Sequence, residues 1–193
     1  MKRIVIGTLA LLVLTTAAVA IEQFKPASGS LIRIEGTSTL HPWTMEGSTI
    51  NGQVQVEQNW DNTGKGSTAV KVAIPVTTIK SEHSKMDKLM ADALKARTNP
   101  EIRYELTSAA LQSSTPDSFL LKAAGKLTIA GVTRDVTMDV AGQRAADGQY
   151  VLTGQAPIRM TDFGIKPPTA MLNTIRTGDD VIVTFRWVVA AAN

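Results

Sequence analysis

Apolar residues recur at every second position along most of the chain. Ile32 and Ile34 alternate in LIRIEG, Val54 and Val56 in GQVQVEQ, and Val70, Val72, Ile74 and Val76 in TAVKVAIPV. The same period returns at Ile102, Tyr104 and Leu106, at Leu127 and Ile129, at Val136, Met138 and Val140, and in Val181, Val183, Phe185 and Trp187. Side chains two apart on an extended backbone share a face, so this is the pattern of half-buried antiparallel strands. Turn residues stand between the runs: NTGKG (62–66), TPDS (115–118), AGVT (130–133), AADGQ (145–149) and TGDD (177–180) supply the Gly, Asn, Asp or Pro that tight connections need. Roughly eight to nine strands are expected, joined as a meander, and an antiparallel sheet of that size can remove its exposed edges by closing into a barrel.

Two stretches break the period. In SEHSKMDKLMADALKA (81–96), Met86, Leu89, Met90, Ala93 and Leu94 recur at helical spacing, which predicts one amphipathic helix over about 82–96. Ser81 or Ser84 is its expected N-cap, and TNP closes it because Pro100 disfavours helix at Asn99. The stretch FGIKPPTAMLNTIRTGDD carries Pro167 and Pro168 and reads as a long, partly helical loop before the last strand. No repeat, low-complexity block or linker divides the chain, so one domain is expected.

The first twenty residues change the reading of charge. MKRIVIGTLALLVLTTAAVA places Lys2 and Arg3 before an uncharged run that ends in Ala18-Val19-Ala20, the pattern of a secretory signal cleaved after Ala20; the competing reading is a retained membrane anchor, against which stand the cleavage pattern and the lack of a positive flank after it. Residues 21–193 are then the mature domain, periplasmic or secreted from a bacterium, with no stable membrane span after cleavage. Cleavage lowers Lys+Arg from 20 to 18 against 17 Asp+Glu, so the formal charge falls from +3 to about +1. No basic cluster is left to hold nucleic acid. Cysteine is absent, which excludes disulfides, thiolate chemistry and lipoprotein anchoring.

Candidate chemistry is sparse. His41 and His83 are the only histidines and show no metal-binding spacing, so no metal site is expected. In GTSTLHPWTMEG (36–47), Thr39 and His41 share a face if the segment is a strand, but no fixed acid, nucleophile elbow or oxyanion donor accompanies them. Glycine-rich nucleotide motifs are also missing. The expectation is a protein that is not an enzyme and needs no cofactor.

Four blocks in order carry a resemblance: GTSTLHPW, MDKLMADALKARTNPEIRYEL, GKLTIAGVTRDVTMDV and MTDFGIKPPTAMLNTIRTGDDVIVTF. Together they resemble the YceI-like family of exported bacterial proteins, over about Ile32 to Trp187. Pro42 stands where the commoner family pattern has an acidic residue. The resemblance implies an all-β fold, a single antiparallel eight-stranded lipocalin-like barrel with a helix over it, enclosing an apolar tunnel for an isoprenoid-type or fatty lipid. It also implies a wall or structural role for Leu127, Ile129 and Val132.

Alternation and resemblance together nominate Ile32, Ile34, His41, Trp43, Val72, Ile74, Tyr104, Leu106, Val136, Met138, Val183 and Phe185 as lumen-wall residues. Their partner would be a hydrophobic lipid: an isoprenoid, a quinone or a fatty-acyl chain. The same residues would equally serve as a filled core, because one face of any such sheet is apolar. A different class, a non-catalytic secreted stress or interaction protein using the barrel as scaffold, would work instead through the helix or the loop 163–178.

Overall fold

The computed structural model describes residues 20–57, 68–145, 147–172 and 174–192, so the signal-like segment and the NTGKG turn lie outside the described residues. Eleven antiparallel strands are formed: β1 Ile21–Pro26, β2 Leu31–Ser38, β3 Trp43–Gly47, β4 Asn51–Glu57, β5 Thr68–Pro75, β6 Glu101–Ser114, β7 Ser118–Ile129, β8 Val132–Arg144, β9 Tyr150–Arg159, β10 Thr169–Ala170 and β11 Ile175–Ala191. Each long strand pairs with its neighbour in the order β1-β4-β5-β6-β7-β8-β9-β11, and β11 pairs back to β1, which closes the ring at eight staves.

The strands β1 and β2 are two halves of one bent stave. Both run antiparallel to β11, Phe24–Pro26 opposite Val189–Ala191 and Leu31–Ser38 opposite residues 177–186. Between them Ser30, a buried polar residue, bridges the break: its hydroxyl donates to Ala27 O (3.2 Å) and accepts from Val188 N (3.0 Å). Here a side chain stands in for the backbone groups that a bend removes from the ladder. In the same way β3 pairs with β2 while β4 pairs with β1. Reciprocal backbone bonds of 2.7 Å between Glu46 and Lys80 seal the seam beside β3.

The helix α1, Ser84–Ala93, lies within the expected span but starts later. His83 is its N-cap and gives no side-chain cap bond. Ser81 instead donates both its N–H (2.7 Å) and its hydroxyl (2.8 Å) to Asp87 Oδ1, so the segment 81–83 is held as a turn outside the helix. At the other end of the sequence, TGDD is not a turn. It is a bulge within the 17-residue β11, where pairing jumps from Thr177–Ser38 to Val181–Gly36. Asp179 explains why: it accepts from Thr161 Oγ1 (2.6 Å) and Thr161 N (2.9 Å), capping the 3₁₀ turn Met160–Phe163 that follows β9. The 163–178 loop is not partly helical as expected: among the described residues only Phe163 belongs to a helical turn, the 3₁₀ turn before the loop, and Thr169–Ala170 and Ile175 onward are strand.

On the inner face, aromatic rings lie over facing glycines. Trp43 covers Gly36, Phe119 covers Gly142 and Phe185 covers Gly154, each across a directly paired position, while Tyr104 covers Gly125 diagonally. A β-carbon at any of these glycines would run into the ring.

Gly142→Ala is therefore expected to destabilise the protein by about 1–3 kcal/mol through overpacking against Phe119. Urea unfolding with an unchanged m-value is the measurement, and adding Phe119→Leu to that variant should recover part of the loss. The Thr161 hydroxyl and N–H, helped by Arg159, hold the Asp179 carboxyl below its ordinary value of 3.8. A depressed pKa stabilises the folded state fully above the unfolded-state value and stops doing so as pH falls through the folded one. Below about pH 4, wild-type stability should thus fall more steeply than that of Asp179→Asn, read as unfolding midpoint against pH.

Candidate functional site: the barrel lumen

The two ends of the barrel differ. At the end where β1, β7 and β9 begin, Phe24, Phe119 and Tyr150 are buried against one another. Phe24 and Tyr150 meet edge to face at 5.3 Å between centroids, Phe119 and Tyr150 at 6.1 Å. Arg144 lies 5.3 Å from the Tyr150 ring centre and donates to its hydroxyl at 2.7 Å. Aromatic packing of this kind makes a compact floor cluster, of which Phe24 and Tyr150 face the cavity.

Above the floor the barrel is hollow. A cavity of about 320 Å³ runs between the staves, lined almost wholly by aliphatic, aromatic and methionine side chains. Burial along β8 shows this in the residues themselves: Met138 and Val140 line the cavity yet are only half-buried. Val72, Leu106, Leu152, Val183 and Phe185 behave alike. Inward apolar residues of a filled barrel would be covered by their neighbours opposite.

Of the twelve nominated wall residues, Ile32, Ile34, Trp43, Val72, Ile74, Tyr104, Leu106, Met138, Val183 and Phe185 line this cavity. His41 and Val136 do not. Val136 keeps inward parity but stands outside the lining, opposite Gly125. His41 is displaced because residues 39–42 are not strand: they form the turn between β2 and β3. Ser38 Oγ accepts from Leu40 N and His41 N (both 3.2 Å) and donates to His41 O (2.8 Å), while His41 Nδ1 donates to Pro42 O (2.6 Å) and its ring stands exposed. Thr39 and His41 therefore do not share a strand face.

GTSTLHPW is rim. Trp43 donates from its indole to Thr37 O (3.0 Å) and lays its ring over Gly36. Thr39 accepts from Arg176 N (3.1 Å) and donates from its hydroxyl to Thr174 O (3.2 Å), which ties this turn to the strand opposite. Pro168 and Thr177 line the cavity beside it, with α1 on the same end as the segment between β5 and β6.

Sequence reasoning missed much of the wall. Met45, Val54 and Val56 line it from β3 and β4, Ile50 from the connection between them, Leu121 and Ala123 from β7, and Leu152, Ala156 and Ile158 from β9. The helix face Met86, Leu89, Met90, Ala93 and Leu94 was legible as apolar, but not as part of the lumen. Leu127 and Ile129 line the cavity too, whereas Val132 packs against the core outside it.

Among the described residues, two side-chain polar atoms are buried in this apolar setting without a partner: the Tyr104 hydroxyl and the Trp187 indole N–H. Both side chains belong to the lining, and burial pushes the Tyr104 phenol above its ordinary value of 10.0. Among the described residues no group of three His, Asp or Glu side chains stands close enough to hold a metal ion, and no helix is long and apolar enough to cross a membrane.

Solved structures share this architecture. The chain matches Burkholderia cenocepacia BcnA at 18% identity and TM-score 0.64, covering 82% of this chain and 95% of that one. A polyisoprenoid binding domain from Saccharophagus degradans, implicated in plant cell wall breakdown, matches at 12% identity and TM-score 0.69, covering 90% and 100%. The YCEI protein of Campylobacter jejuni matches at 16% identity and TM-score 0.56, covering 100% and 99%. At these identities the likeness is one of fold. No curated protein matches by sequence. The model of the YceI-like domain matches residues 23–189, all eight staves included, and the chain thus belongs to the YceI-like domain family.

Proposed function

We propose that this protein is an exported, non-catalytic lipid-binding protein that sequesters or carries an isoprenoid, quinone or fatty-acyl chain in the lumen of its barrel. The observation that carries this is the hollow apolar interior of about 320 Å³, within the usual size range of small-molecule sites. An apolar cavity of this kind holds water poorly and an alkyl chain well. Each buried methylene gains about 0.8 kcal/mol, so about ten of them reach the −8 kcal/mol of micromolar binding with no charged anchor. Methionines Met45, Met86, Met90, Met138 and Met160 in the lining suit a flexible guest, since unbranched thioethers repack readily. The name of the Saccharophagus degradans domain points to the same class of ligand for that protein.

Met138 stands opposite Ala123 across the β7–β8 pair, so a larger side chain there projects into free lumen. Native mass spectrometry of wild type should find a co-purifying lipid. In Met138→Trp the bound fraction should fall while the circular dichroism of the barrel is kept. Wild type carrying no lipid and taking up none from a fatty acid or prenol solution would refute the proposal, and recovery only from the cytoplasmic fraction of its cells would refute export. The unpartnered Tyr104 hydroxyl gives a second expectation. Removing one buried, unsatisfied group is neutral or favourable, so Tyr104→Phe should leave lipid-free stability unchanged or raise it by up to about 1 kcal/mol in urea unfolding.

A further inference from the structure

Large apolar side chains stand in water at the mouth of the barrel, on two loop tips. Leu40, at the tip of the β2–β3 turn, is 65% exposed, and Met171 and Leu172, at the tip of the β10–β11 hairpin, are 74% and 102% exposed. The tips are bound to one another. Thr39, next to Leu40, bonds Thr174 and Arg176, and Thr174 donates from both N–H and hydroxyl to Met171 O. Leu89 of α1, itself 38% exposed, lines the cavity on the same rim.

The backbone at the second tip sharpens the point. Met171 and Leu172 adopt φ of 49° and 54°, two consecutive left-handed residues of the kind that hairpins give to Asn and Gly. Bulky side chains are disfavoured there, and these two recover nothing by burial. Strain combined with exposure of apolar surface marks a place where contact with something outside the chain is selected.

We propose that this rim is a membrane-docking edge: Leu40, Met171 and Leu172 insert into the surface of a phospholipid bilayer and bring the open mouth of the lumen against it. The occupant follows from continuity. The apolar tips lie at the same end of the barrel as Trp43, Pro168 and Leu89, which line the apolar cavity, so the exposed apolar surface and the lumen share one end of the molecule. Exposed Lys85, Lys88 and Lys166 lie at the same end among the exposed carboxylates of Glu82, Asp92, Asp162 and Asp180, so the apolar tips rather than net charge carry the docking. This rests on the lipid-binding reading for its purpose, but its geometry is tested separately.

The test uses residues 21–193, which hold all eight staves, and vesicles of phosphatidylethanolamine and phosphatidylglycerol. Asn tolerates left-handed backbone, so Met171→Asn with Leu172→Asn removes the apolar tips without threatening the fold. Wild type should co-sediment with the vesicles, and the double variant should bind them about a hundredfold more weakly, about tenfold for each inserted side chain. Leu40→Ser should weaken binding about tenfold, and Ile21→Ser, at the opposite end, should change nothing. Uptake of a fatty acid from free solution should be the same in wild type and the double variant, which separates docking from lumen binding. Vesicle binding by wild type without fatty-acid uptake would leave the docking edge standing and overturn only the lumen reading. The edge is overturned if wild type ignores vesicles, if the Asn variant binds as well as wild type, if Ile21→Ser weakens binding equally, or if the tips prove to bury themselves in a second copy of the chain in solution.

Discussion

An aromatic ring can lie flat against the inside of a sheet only where the facing residue has no side chain, and four such pairings shape this barrel. Trp43 over Gly36, Tyr104 over Gly125 and Phe185 over Gly154 lay large residues against the wall of the cavity, while Phe119 over Gly142 does so within the aromatic cluster at one end. A β-carbon beneath any of them would displace the ring from the wall. Eight staves close with an interior that side chains are just able to occupy, so whether a barrel of this size is solid or hollow turns on such details. Hollowness here is a property of wall residues in pairs.

The closed ring depends in turn on local repairs where staves bend or slip. Ser30 carries the β1–β2 break, the Glu46–Lys80 bonds seal the seam near β3, and Asp179 gathers the β11 bulge onto the 3₁₀ turn after β9. Each repair lets the ring curve without leaving backbone donors or acceptors bare.

Much of this was legible in sequence, and the boundary is physical. Alternation at 70–76, 102–106, 136–140 and 181–187 reports directly on faces, and ten nominated wall residues line the cavity. β9 escaped because its inward positions include Gly154 and Ala156, which mute the apolar period. TGDD looked like a turn because a bulge and a turn call on the same residues, and only the partner Thr161, far away in sequence, distinguishes them. His41 was nominated on the premise that GTSTLHPW is extended, whereas Ser38 folds it into a turn. The pairing of glycine with aromatic needs the register of two strands, which no single stretch of sequence contains.

The floor has a consequence for any chain held above it. Because Phe24, Phe119 and Tyr150 pack together at one end while loops and α1 stand at the other, the two ends of the lumen are not equivalent. Under the proposed lipid binding, a chain lying along the staves would meet aromatic rings at one end and the methionine-bearing helix face at the other, so its two termini would rest in different surroundings.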